Sequence, residues 1–176
     1  MKKNVCIILM LAGQFFCFAQ EASLGITGGY TTNGFGLQAG YYKALSDKAE
    51  LQVLLYASEA ENTQSNIDIP YNDISLNVGY FYKLLQNRYN RFHLALGGGG
   101  LVGYEILNRG SNELETGAII DGESQVVYGA FVGAEFAYYI SDSFGIIAVA
   151  NEFYHINSDI GASFFYGGIG IKYTLF

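Results

Sequence analysis

Apolar and polar residues alternate along most of the chain, and this alternation is its main structural signal. The clearest example is the segment ISLNVGYFY, which begins at Ile74. Ile74, Leu76 and Val78 share one face of this segment, while Ser75 and Asn77 share the other. A period of two is typical of a β-strand, and here one face is apolar and the other small or polar.

The same pattern recurs along the chain and predicts an all-β fold. The predicted strands lie at about 23–31, 35–43, 49–58, 71–83, 91–105, 125–140, 145–154 and 162–176. The connections TTNG, LSDK and SDS are short and LQNRYN and HINSDIG are moderate, whereas Ser58 to Pro70 and Ile106 to Ser124 are long and polar. An up-and-down antiparallel sheet places alternate connections at opposite rims. Short turns at one rim and longer loops at the other are typical of an eight-stranded outer-membrane β-barrel.

In such a barrel the outward rows of side chains face lipid. The predicted lipid-facing row comprises Ile74, Leu76, Val78, Leu94, Leu96, Val102 and Val132. The chain also has 15 Tyr and 13 Phe but no Trp. Many of these aromatic residues fall near predicted strand ends, as Tyr41, Tyr82 and Tyr104 do, and such positions suit the aromatic girdles at membrane interfaces.

Four consecutive glycines occur inside the predicted strand LALGGGGLVGYE. Leucine, valine and tyrosine flank them, so the stretch does not resemble a flexible linker. The alternation places Gly97, Gly99 and Gly103 on the inner face. Because an eight-stranded barrel has a narrow interior, small residues there make room for larger neighbours and permit tight curvature.

A soluble β-sandwich is the main alternative fold, because it also contains many short alternating strands. Three features favour the barrel instead. These are an N-terminal export signal, the length of the predicted strands at 91–105 and 125–140, and the aromatic residues near strand ends.

Residues 1–19 are typical of a signal peptide, with two lysines before an apolar stretch that is too short to span a bilayer. We predict cleavage after Ala19, which leaves residues 20–176 as a single barrel domain. A lipoprotein acylated at Cys17 is an alternative, but the preceding QFF lacks the small residues expected there. Cys6 and Cys17 both lie in the predicted signal, so the mature chain would contain no thiol.

Composition and charge restrict the classes of function that are compatible with the sequence. Hydrophobic residues make up 51% of the chain and charged residues only 14%. The charged fraction is well below the roughly 25% of a typical soluble domain, and this deficit favours a membrane protein. Without the two lysines of the signal, 7 basic residues remain against 16 acidic ones. A chain this acidic lacks the basic face that phosphate neutralisation requires, so we expect no direct binding of nucleic acid.

Charged residues on the predicted inner faces form a candidate lumenal cluster. Its members are Lys83, Arg91, His93, Glu105, Glu135 and Lys172. If Glu105 pairs with Gln125, Glu135 lies opposite Ala95 and diagonal to His93. The cluster could be an acid–base site that modifies lipid or an ion-paired plug. The plug is favoured because buried charges must pair in any case. No spacing matches a catalytic or metal motif, and we predict neither catalytic residues nor cofactors.

The longer loops are acidic. Their acidic residues are Glu59, Glu61, Asp68, Glu113, Glu115, Asp121 and Glu123, against a lone Arg109. This rim could be a solvated, mutually repulsive surface, or it could dock a cation or a protein. Nothing in the spacing matches a calcium loop.

Several segments resemble the TraO family of conjugative-transposon transfer proteins from Bacteroides-type elements. They read GYFYKLL, GGLVGYEILNRG, VYGAFVGAEFAYYISD and GGIGIKY, and the resemblance covers about residues 78–176. It implies an exported barrel component of a conjugation machine, which is a type IV secretion-like apparatus. It carries no active-site residue to this chain.

The leading hypothesis is therefore a non-enzymatic outer-membrane subunit that anchors or supports this apparatus. Its expected partners are outer-membrane lipid and other conjugation proteins. A free-standing small barrel for adhesion or envelope integrity is one alternative. A lipid-modifying enzyme that uses His93 and Glu135 is another.

Overall fold

A computed structural model describes residues 22–64, 67–87, 91–108, 124–158 and 161–175, which form a closed eight-stranded barrel. The strands are β1 Ala22–Thr31, β2 Gly34–Ser46, β3 Ala49–Gln64, β4 Ile67–Gln86, β5 Phe92–Leu107, β6 Gln125–Tyr139, β7 Phe144–His155 and β8 Ser163–Leu175. Each strand pairs antiparallel with the next, and β8 closes the sheet against β1. The predicted barrel is confirmed. The predicted signal peptide and its cleavage site lie outside the described residues.

Among the described residues, no helix is long and apolar enough to cross a membrane.

The register of the central strands follows from the alternation. Glu105 of β5 pairs with Gln125 of β6, which is the condition that the sequence analysis assumed. Ala95 pairs with Glu135, as follows from that condition. A shift of one residue would turn every side chain of a strand to the opposite face. The requirement for an apolar outside and a filled inside therefore fixes the register along each strand.

The outward rows are apolar and exposed on the described strands. Of the predicted lipid-facing row, Ile74, Leu76, Val78, Leu96, Val102 and Val132 are exposed and Leu94 is half-buried. The last strand behaves in the same way, with Ile169 and Ile171 exposed between buried inner residues. The outer wall is therefore a continuous band of apolar side chains.

Aromatic side chains fill the middle of the lumen. Tyr56 of β3 stacks on Phe153 of β7 with ring centroids 5.0 Å apart, and Phe153 stacks on Phe164 of β8 at the same distance. Tyr166 packs edge-on against Tyr56 at 5.1 Å. Phe131 extends the layer from Phe153, with their centroids 5.9 Å apart. This aromatic layer is a packed core across the barrel.

Glycines on the inner faces of β4 and β5 make this packing possible. A Cβ atom on Gly97 would lie 2.5 Å from Cγ of Phe81, and one on Gly79 would lie 2.7 Å from Cζ of Phe131. A Cβ atom on Gly99 would collide with the backbone carbonyl of Val78 on the neighbouring strand. The four-glycine segment is therefore a place of close approach within the wall.

The predicted loop from Ser58 to Pro70 is wrong in its extent. The strands β3 and β4 continue through Gln64 and from Ile67, and Glu61 pairs with Pro70. The pairing of β4 with β5 ends at Tyr71, so Pro70 has no β5 partner and its missing N–H is tolerated there. The hairpin extends past the pairing of β3 with β2 and of β4 with β5, and the polar sequence of this segment led to the loop prediction.

Candidate functional site

Among the described residues, polar and ionisable side chains inside the barrel form two separate clusters. The terminal-end cluster lies at the end of the barrel where β1 begins and β8 finishes, and consists of Glu50, Gln52, His93, Glu135 and Lys172. The loop-end cluster lies towards the opposite rim and consists of Asp73, Glu105, His155 and Ser158. The aromatic layer lies between the two clusters.

Lys172 is the centre of the terminal-end cluster. Its ammonium group is fully buried and donates a hydrogen bond to Oε1 of Glu135 over 2.7 Å. It also donates to both carboxylate oxygens of Glu50, each 3.3 Å away. The aromatic ring of Tyr42 lies beneath the same ammonium group, with its centroid 3.8 Å from Nζ. The lysine therefore has two carboxylates and one aromatic face around it.

Two further side chains complete the network. Gln52 donates a hydrogen bond from Nε2 to Glu50 over 3.0 Å and to Glu135 over 3.2 Å. Nε2 of His93 lies 3.3 Å from Oε1 of Glu135. Each carboxylate thus has at least two polar neighbours, which is what burial of a charge requires. Such a network ties four strands, β3, β5, β6 and β8, across the lumen.

The sequence prediction and the observed terminal-end cluster overlap only in part. The structure brings His93, Glu135 and Lys172 together and places Glu105 at the other end of the barrel. Glu50 and Gln52 were missed, although both are polar residues in the inner row of β3. Their position in that row was the available signal.

Two predicted members do not belong to the cluster. Arg91 is exposed just before β5 begins, so it lies outside the lumen. Lys83 is only half-buried, because the pairing of β4 with β5 shifts between Lys83 and Leu85 and ends the regular inner row. The ion pairs between described residues include neither Arg91 nor Lys83.

The loop-end cluster has a different balance of charge. Asp73 pairs directly with Glu105 across β4 and β5, and both carboxylates are buried. Nε2 of His155 lies 3.8 Å from Oδ2 of Asp73, and the His155 ring packs edge-on against Phe164. Ser158 donates a hydrogen bond to Glu105 over 2.8 Å. Two carboxylates therefore share this end of the lumen with one histidine.

A cavity of about 160 Å³ lies above this cluster at the mouth of the barrel. Residues from five strands or turns line it, and they include Asn33, Tyr71, Glu105, Ser163 and Phe164. Within the part of the chain that the structure describes, no group of three or more histidine, cysteine or acidic residues is arranged to hold a metal ion.

Comparison with protein families identifies the chain. A family model described as conjugative transposon protein TraO matches residues 19–175. The chain belongs to the TraO family. The match confirms the resemblance over residues 78–176 and extends it through the strands that precede them. No match was found among curated protein sequences.

Solved outer-membrane proteins share the fold of this TraO chain. A major outer membrane protein of Thermus thermophilus is 12% identical with a TM-score of 0.63, and the match covers 90% of this chain and 100% of that one. The attachment invasion locus protein Ail of Yersinia pestis is 14% identical with a TM-score of 0.59, at the same coverage. The N-terminal β-barrel domain of Pseudomonas aeruginosa OprF is 12% identical with a TM-score of 0.56, covering 88% and 97%. The similarity extends over the whole barrel and concerns its fold.

Proposed function

We propose that this TraO-family barrel is a non-enzymatic outer-membrane subunit of a conjugative transfer apparatus, where it anchors or supports other subunits. The observation that carries the proposal is the family match over residues 19–175 to conjugative transposon proteins. The closed barrel with an apolar outer wall supports the membrane location. In this proposal a signal peptide at residues 1–19 exports the chain and is cleaved after Ala19.

The filled interior supports a structural role over a conducting one. Aromatic rings pack across the middle of the lumen, and the terminal-end cluster packs below them. Eight strands leave room for side chains only. The acidic chain also offers no basic surface for phosphate. Transferred DNA would therefore pass through another component of the apparatus.

The same packing argues against an enzyme in the terminal-end cluster. His93 contacts Glu135, but the same carboxylate also accepts hydrogen bonds from Lys172 and Gln52. A general base needs a path to the proton that it removes. Here the buried carboxylate is occupied by structural partners, so the contact is best explained as part of the ion-paired plug.

The partners of this subunit would be outer-membrane lipid along the wall and other transfer proteins at the two rims. In this proposal, short turns such as Asp47–Lys48 lie on the periplasmic side and would dock partner subunits. The hairpin formed by β3 and β4 would offer a second docking surface at the opposite rim. A free-standing barrel for adhesion or envelope integrity would share the fold but would have no such partners.

Purification of the barrel from conjugating donor cells distinguishes a subunit of the transfer apparatus from a free-standing barrel. We expect a tagged chain to fractionate with outer-membrane markers and to co-purify with other proteins encoded by the same transfer element. A tagged unrelated eight-stranded barrel, expressed at the same level, serves as the control. Recovery of the tagged chain alone, with transfer proteins only at the level of the control, would favour the free-standing barrel.

A further inference from the structure

The inner row of β4 contains two polar side chains that have no protein partner. Ser75 and Asn77 are the polar residues of the alternating segment ISLNVGYFY, and the structure buries both inside the barrel. Ser75 is 1% exposed and Asn77 is 0% exposed. Within the described ranges, no group forms a hydrogen bond with the Ser75 hydroxyl or with either polar atom of the Asn77 amide. Both side chains therefore require a partner from outside the chain.

The chemistry of these two side chains restricts what that partner is. A buried amide or hydroxyl group without a hydrogen bond is unfavourable, because it has lost water and gained no other partner. Protonation neutralises a carboxylate, but it does not satisfy an asparagine or a serine. Both side chains are uncharged, so neither requires a counter-ion. Water has the size and the hydrogen-bonding capacity, and a buried water typically makes about three hydrogen bonds.

The spacing of the two side chains suits a bridging water. They are two residues apart on one face of a strand, so their Cβ atoms are separated by about 6.8 Å. A water that hydrogen-bonds to two atoms connects atoms up to about 6 Å apart, and both side chains extend beyond their Cβ atoms. The cross-strand neighbour of Ser75 on β5 is Gly103, which adds no side chain to the lumen beside the hydroxyl group.

The inner row of β4 also leads from this position to the mouth of the barrel. Beyond Ser75 the next inner residue is Asp73, which pairs with Glu105, and Glu105 lines the cavity at the mouth. In the other direction the next inner residue is Gly79, where an added Cβ would lie 2.7 Å from the ring of Phe131 in the aromatic layer. The row therefore runs from the mouth to the aromatic layer and ends there.

We infer that Ser75 and Asn77 form an internal hydration site, which holds at least one long-lived water molecule on the inner face of β4. The water exchanges at the loop end, and the aromatic layer prevents its passage through the barrel. The site explains why β4 carries a hydroxyl and an amide inside a packed lumen. The inference is independent of the role in conjugation.

The test uses the full barrel, refolded in detergent micelles with isotope-labelled asparagine. NMR cross-peaks between water and the side-chain amide protons are recorded. Asn151 is the matched control, because it is also buried but donates a hydrogen bond to Gln38 over 3.0 Å. We expect the Asn77 amide to give a cross-peak with the sign of a water that tumbles with the protein, and Asn151 to give a peak several-fold weaker. A peak for Asn77 that is no stronger than that for Asn151 would overturn the inference.

A crystal structure of the same barrel provides an independent measurement. We expect an ordered water about 2.7–3.2 Å from both the Ser75 hydroxyl and the Asn77 amide. A direct hydrogen bond from this amide to a protein group would contradict the site. In the NMR spectrum, the signal that disappears in Asn77→Leu belongs to Asn77. If Asn77→Leu does not refold, Asn77→Ser identifies the signal in its place.

Stability measurements test whether one water connects the two side chains. If it does, Ser75→Ala should shift the urea midpoint less in Asn77→Leu than in the wild type, because the shared water is already displaced. Ser23→Ala is the matched control, since the Ser23 hydroxyl hydrogen-bonds to Thr174 at the terminal end of the barrel. Its shift should be the same in both backgrounds. Equal shifts of Ser75→Ala in the two backgrounds would overturn the shared site.

Discussion

Lys172 of β8 donates a hydrogen bond to Glu135 of β6 across the lumen, over 2.7 Å and past the intervening strand β7. Glu50 of β3 contacts the same ammonium group from another side of the barrel. One buried cation thus links three strands that are not neighbours in the sheet. Hydrogen bonds between adjacent strands form the wall of the barrel. The contacts of Lys172 instead connect opposite parts of the wall through the lumen.

Loss of the cation should destabilise the barrel strongly. We expect Lys172→Met to lower the free energy of unfolding by about 3–5 kcal/mol, because Glu50 and Glu135 are left buried without a counter-charge. Urea unfolding in lipid vesicles measures the effect, and Lys48→Met at the exposed β2–β3 turn is the control. The triple variant that adds Glu50→Gln and Glu135→Gln should recover part of the loss. Equal stability of Lys172→Met and the control would contradict the role of this ion pair.

The four consecutive glycines of β5, Gly97 to Gly100, should differ in their tolerance of a side chain. Gly99→Ala places a methyl group against the backbone of Val78 and should cost about 1–3 kcal/mol. Gly100→Ala is the matched control, since the nearest atom to its added Cβ is a carbonyl oxygen 3.9 Å away. Refolding yield and urea midpoint distinguish the two. An equal loss in both variants would indicate that glycine is needed for backbone flexibility and not for close approach.

A charge on the outer wall should be costly in proportion to its depth in the bilayer. We expect Val132→Arg, in the middle of β6, to reduce stability by about 2–4 kcal/mol and Val126→Arg, near the end of the same strand, by about 0–1 kcal/mol. Both valines are exposed on the outside of the barrel. Urea unfolding of each variant in lipid vesicles measures the two losses of stability. If the two variants are equally stable in vesicles, the outward row of β6 does not face the lipid core.

The His93 and Glu135 contact provides a test of the enzymatic alternative. Gln can keep a hydrogen bond to Glu135 but cannot transfer a proton as histidine does. We therefore expect donor cells with His93→Gln to retain the wild-type lipid profile and the wild-type transfer frequency. Mass spectrometry of outer-membrane lipids and a mating assay measure the two. A changed lipid profile in a variant that folds normally would support a lipid-modifying enzyme.

The alternation of apolar and polar residues is sufficient to predict most of the fold. Each strand has one face towards the apolar outside and one towards the lumen, so nearly every residue constrains the register, as the pairing of Glu105 with Gln125 illustrates. The ends of β3 and β4 were not predictable in this way. Beyond Ala60 and Tyr71 the hairpin has no neighbouring strand, and the constraint on its side chains is lost.

The contents of the lumen were only partly predictable. His93 and Glu135 lie on adjacent strands, so their contact follows from pairing. Glu50 reaches Lys172 across the barrel, and that contact depends on how closure and stagger align distant strands. Lys83 was misassigned because a local shift in the pairing of β4 interrupts the period of two.

Conjugation frequency from a donor that carries a clean deletion of this gene tests the central claim most directly. We expect transfer to be lost without a change in donor growth, and to be restored when the wild-type gene is supplied from a separate site. Transfer at the wild-type frequency from the deletion strain would contradict a role in the apparatus.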